Sequence, residues 1–166
     1  MENLKTGDIL ICKGKTWISR GIMKITKGKY SHTALVIQVG NLKCIAEGQA
    51  RGINLKDYKT WLYKWGYTYE IFRHNKNFDK NEISARAIAK CGETRYDWRT
   101  FFGRIPRRLI LKNSIDKRTE SEKARKMICS EFTAWVWKIR LRGTYEMTPQ
   151  EQYNYLKVSK DWDLIK

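Results

Sequence analysis

At 166 residues the chain has the length of one domain and can bury a sizeable core without disulfide support. Its 34 basic and 17 acidic residues give a formal charge of +17, which predicts attraction to polyanions without separating nucleic acid, an anionic membrane face and an anionic cell-wall polymer. The four cysteines, at 12, 44, 91 and 129, form no CxxC pair and are joined by only two histidines, which excludes a zinc-ligand spacing and predicts neither metal nor cofactor.

The N-terminal MENLKTGDILICKG has no basic stretch leading into a long apolar run, and nowhere do about 18 apolar residues run together, so neither a secretory signal nor a membrane span is expected. Cys12, Cys44 and Cys91 lie in apolar surroundings and read as small buried hydrophobes. These features predict reduced thiols and a cytoplasmic location, with release by lysis as the route to an outside target.

Residues 7–12 read as a strand, 15–26 as a helix, and 31–39 as a second strand that is apolar on both faces and therefore central. Gly40-Asn41 is a tight-turn signal that folds 42–47 back as an antiparallel partner, and 68–72 is a third strand signal. Asp79 and Glu82 form a capping box for a helix over 82–91, with Ile83, Ala87 and Cys91 on one stripe and Gly92 placed to end it. From Cys129, the residues Phe132, Trp135, Val136 and Ile139 follow helical spacing, ending before Gly143. Thr148, Pro149 and Glu151 start a last short helix. No repeat or linker interrupts this order, and strands and helices mix without strict alternation, so the expectation is a single α+β domain over 1–166.

Cys129 falls at a predicted helix N-terminus, where backbone N–H groups stabilise a thiolate and can receive a developing oxyanion. His32 is flanked by apolar residues on a central strand, a place where an imidazole is costly unless both of its nitrogens are used. With a two-residue loop at Gly40-Asn41, Ala34 lies opposite Glu47 and His32 opposite Gln49, so all four side chains share a face and Glu47 is a diagonal neighbour of His32. A carboxylate there can accept the imidazole N–H and turn the other ring nitrogen toward a thiol.

GDIL at 7–10, SHTALVI at 31–37, Glu47, YDW at 96–98, CSEF at 129–132 and TPQE at 148–151 together resemble the circularly permuted NlpC-like cysteine hydrolases of the YiiX type, relatives of the lecithin:retinol acyltransferase family. The order histidine, polar orienting residue, cysteine is matched by His32, Glu47 and Cys129, whereas unpermuted papain-like enzymes run cysteine first. The resemblance implies a papain-like core in which the cysteine helix packs on an antiparallel sheet carrying the histidine. It further implies a thiol hydrolase acting through a thioacyl intermediate on an amide or ester, without a cofactor. Tyr96 and Asp97 match the pattern, but neither is read as catalytic, and a buried tyrosine bonded to backbone is the expectation for the first.

NlpC-like relatives cleave cell-wall peptides, and a cationic enzyme would be drawn to an anionic wall, which makes wall peptide the favoured substrate. A lipid amidase, esterase or acyltransferase at an anionic membrane surface is the alternative. It draws on the cationic residues and aromatics of 95–108, Arg104, Arg107 and Arg108 with Trp98, Phe101 and Phe102, within a segment 95–126 that departs from better-known relatives and holds eleven basic residues against four acidic ones. A catalytically idle nucleic-acid-binding module is a third reading, but no recognised motif accompanies the charge, so nucleic acid is not expected as a specific partner.

Overall fold

The computed structural model describes residues 4–65, 67–97, 103, 125–141 and 146–165. Among these, the chain runs β1 (Ile9–Lys13), α1 (Trp17–Thr26), β2 (His32–Val39), β3 (Leu42–Gln49), β4 (Gly52–Asp57), α2 (Tyr58–Trp65), β5 (Thr68–His74), α3 (Lys80–Ile88), β6 (Arg95–Tyr96), β7 (Lys126–Met127), α4 (Cys129–Val136), α5 (Pro149–Val158) and β8 (Trp162–Ile165). Six strands form a sheet in the order β4-β3-β2-β1-β5-β8, and every neighbouring pair is antiparallel. The fold is α+β, a mostly antiparallel sheet packed against helices.

β2 shows why its sequence lacks an alternating pattern: it is central and covered on both sides. Leu35 and Ile37 join Ile9, Ile11, Ala46 and Phe72 in a core that also takes Ile83 of α3, Phe132 of α4 and Leu156 of α5. Ala34 and Val36 join Leu10, Cys12, Ile45 and Ile71 in a second core with Trp61 of α2. An apolar residue is therefore favourable at each successive position of the strand.

The Thr148–Glu151 capping box forms as predicted, whereas at Asp79 only the side-chain half of the box is made and Ala89, not Gly92, caps the far end. Asp79 accepts hydrogen bonds from the Asn81 and Glu82 N–H groups and starts α3 two residues earlier than the spacing predicts. That helix ends at Ile88, and Gly92, at φ 79°, turns its N–H to the Ile53 carbonyl at 3.1 Å, tying the helix exit to β4. α4 stops at Val136 because Lys138 adopts the left-handed conformation at φ 56°, which returns the Ile139 N–H to the Ala134 carbonyl at 2.8 Å and buries Ile139. β4, α2, β6, β7 and β8 are additions to the predicted set.

The two-stranded ladder of β6 and β7 is parallel. It joins the ends of the basic segment and leads the chain directly into α4. Trp98, Phe101, Phe102, Arg104, Arg107 and Arg108 lie outside the described residues. No helix among the described residues is long and apolar enough to cross a membrane.

Candidate active site

The site begins with the hairpin. Gly40 takes φ 58°, a conformation open to glycine at little cost, and the two-residue turn sets Val39 opposite Leu42 and Ala34 opposite Glu47, as predicted. There the β2–β3 ladder ends. Gln49 does not face His32; it pairs with Gly52 of β4, while His32 pairs with Cys12 of β1. The two central strands part after Glu47.

α4 begins where they part. The Val36 N–H bonds the Asp8 carbonyl, so N–H groups of that parity face β1 and the Thr33 N–H faces the β3 side. Cys129 occupies that side and takes backbone hydrogen bonds from Thr33 and Ser130. The approach is close: a Cβ on Gly48 would lie 3.0 Å from the Cys129 Cα and 3.1 Å from its N. Ile128, the N-cap, has no side-chain acceptor to offer the first turn of α4. Glu131 of the first turn instead accepts the Ile128 N–H at 3.0 Å, and the Ser130 N–H is left to face the thiol.

His32 Nε2 lies 2.7 Å from Glu47 Oε2, which leaves Nδ1 as the ring nitrogen available to Cys129. Glu47 is wholly buried and its carboxylate is saturated with donors. Oε2 also accepts from Trp61 Nε1 at 2.9 Å, and Oε1 accepts from Lys56 Nζ at 2.9 Å and from Gln49 Nε2. Lys56 in turn donates to Gln49 Oε1 at 2.8 Å. Tyr67 stacks on the imidazole with ring centroids 5.5 Å apart.

These contacts fix the charge states. Burial pushes the Cys129 thiol up, but the His32 cation, its hydrogen bond and the two backbone donors outweigh that and hold it below its ordinary value. Burial likewise opposes a charged His32, yet the Cys129 charge and hydrogen bond, then those of Glu47, raise it to about 10. Glu47 is lowered to about 2 against the cost of burial, first by His32 and then by Trp61 and Lys56. The other thiols move the opposite way. Burial raises Cys12 and Cys44 and brings Cys91 to about 11. All four cysteines are free.

Sequence reasoning brought His32, Glu47 and Cys129 together but missed Lys56, Trp61, Tyr67, Thr33 and Gly48. Lys56 and Trp61 lie on β4 and α2, which had not been predicted. Gln49 had been placed beside His32; it supports Glu47 instead. Tyr96 packs with Ile22 and with Ile128, the residue before Cys129, and the Asp97 N–H bonds the Met127 carbonyl at 3.2 Å. Among the described residues no group of three or more His, Cys, Asp and Glu side chains is placed to hold a metal ion.

No protein-family model matches the chain, and no curated protein matches it either. Among solved structures, it is similar to the metalloprotein yiiX from Escherichia coli O157:H7, at a TM-score of 0.65 and 14% identity over 98% of this chain and 96% of that one. The likeness spans both chains almost end to end, so this chain has a YiiX-like fold.

Proposed function

We propose that the chain is a cysteine hydrolase of circularly permuted papain-like type, with Cys129 as nucleophile, His32 as acid and base, and Glu47 as the residue that orients the imidazole. The carrying observation is that Cys129, alone among the four thiols, sits at a helix N-terminus against an imidazole whose other nitrogen is engaged by a buried carboxylate. The thiolate adds to an amide or ester carbonyl carbon, and the oxyanion is met by N–H groups at the start of α4. On collapse the carbon–nitrogen or carbon–oxygen bond breaks and His32 gives its proton to the leaving group. Water then adds to the thioester carbonyl, losing a proton to His32, and the acyl group leaves as a carboxylic acid.

The solved neighbour is named a metalloprotein, but the donor set here does not fit a metal. Both Glu47 oxygens are taken by protein donors, one of them the Lys56 ammonium, whose positive charge opposes a cation at the same carboxylate. No step is routed through a metal. The charge of +17 supports a substrate held at an anionic surface, a wall peptide or a lipid amide or ester.

The test is the pH profile of thiol alkylation, followed by mass spectrometry to locate the label. Cys129 should react far faster than Cys12, Cys44 and Cys91 at pH 7. Its rate should rise as the thiol ionises below the ordinary thiol range. Turnover of a small ester should rise through the same range, hold a plateau, and fall as His32 loses its proton near pH 10. Equal labelling of all four cysteines would sink the reading.

A further inference from the structure

Among the described residues, α1 buries one stripe and leaves a neighbouring, more apolar one at the surface. Ser19, Ile22 and Thr26 are buried, spaced as one stripe of a helix. Trp17, Gly21 and the half-buried Ile25 follow one another at four-residue intervals on another stripe, with Ile18 beside them. Trp17 is 82% exposed and Ile18 39% exposed, and a side chain added at Gly21 would meet nothing within 4 Å. Arg20 and Lys24 border this face on one side, and both are exposed. From Lys13 to Lys29 there are six cationic residues and no acidic one, and Lys13, Lys15, Lys27 and Lys29 are exposed as well.

A tryptophan and isoleucines surrounded by cations match the requirements of the bilayer interface, where rings and aliphatic chains enter the acyl boundary while lysine and arginine meet anionic headgroups. A wall polymer or nucleic acid would be met by the charges but leaves Ile18 and Ile25 without a role. We propose that α1 is a membrane-docking helix that seats the protein on an anionic lipid surface through Trp17, Ile18 and Ile25, bordered by Arg20 and Lys24. The docking face lies on the same helix as Ile22, which packs on Ile128 next to Cys129. Docking therefore brings a lipid surface to the side of the molecule where the Cys129 helix starts. The proposal stands on the face itself and not on the chemistry of the thiol.

The experiment is vesicle co-sedimentation at about 150 mM salt, where attraction between distant charges is screened beyond roughly 8 Å. Wild-type protein should sediment with phosphatidylcholine–phosphatidylglycerol vesicles and not with phosphatidylcholine alone. Trp17→Ser with Ile18→Ser, which leaves the net charge unchanged, should weaken binding by about tenfold or more while circular dichroism stays native. As a second measurement on a milder change, brominated lipids should quench wild-type fluorescence more than that of Trp17→Phe. Undiminished binding by the double serine variant would overturn the proposal, because charge alone would then explain it. It would equally be overturned by no vesicle binding at all, by tighter binding to oligonucleotides that depends on Trp17, or by a concentration-dependent dimer that Trp17→Ser dissolves.

Discussion

Gly48 bears directly on the distance between the thiol and the imidazole, because the Cys129 backbone rests where a Cβ would stand. Its neighbours cannot give cheaply, since two of the three nearest atoms are backbone and the third is Ile53 Cδ1. Gly48→Ala should therefore push the start of α4 off the sheet, at a cost of about 1–3 kcal/mol in stability. It should also slow Cys129 alkylation at pH 7 by roughly tenfold and move its apparent pKa upward, as the thiolate loses contact with His32 and Thr33. Alkylation at the wild-type rate with an unchanged pH profile would refute this. At the residue scale the His32–Glu47 pair was legible because a two-residue turn fixes parity, and parity alone brings Glu47 to His32. Gly48 was not legible. The atoms it makes room for belong to a residue far along the chain, and nothing local marks such a contact.

The elements that could be read in advance carry their signals within a few residues. Thr148 Oγ1 accepts from the Glu151 N–H at 3.1 Å and Glu151 Oε2 from the Thr148 N–H at 2.8 Å, the reciprocal pair the sequence predicts. Thr148→Ala should cost about 1 kcal/mol, measured as a lower urea midpoint with an unchanged slope, and Thr148→Ser should recover most of it. No loss in the alanine variant would mean that packing alone holds α5. α2 escaped notice although Asp57 Oδ1 accepts from the Thr60 N–H at 3.0 Å, a cap that was there to be read. That helix is short and is held chiefly by Trp61 entering the second core, a tertiary term that propensity does not contain. β8 is similar: it exists through its pairing with β5, from Ile71↔Ile165 to His74↔Trp162.

Across the whole molecule, an excess of like charge opposes compactness, and a formal +17 on 166 residues is a large excess. Melting temperature should rise by a few degrees between low and moderate sodium chloride, as screening relieves self-repulsion. A fall would mean that ion pairs outweigh the repulsion. Among the described residues the most buried are Glu47 with His32 and Lys56, and Asp8, which takes Arg73 Nε at 2.8 Å and Nη2 at 2.7 Å and so ties the start of β1 to β5. The parting of β2 and β3 has a consequence in time as well as in space. A hairpin on a two-residue loop closes in about 1–10 μs, so His32 and Glu47 can meet as soon as both have been synthesised, long before residue 129 exists. Until α4 docks, that thiol keeps an ordinary pKa near 8.5 and stays mostly protonated. The chain should thus be chemically quiet through most of its synthesis, becoming reactive only when α4 closes over Gly48.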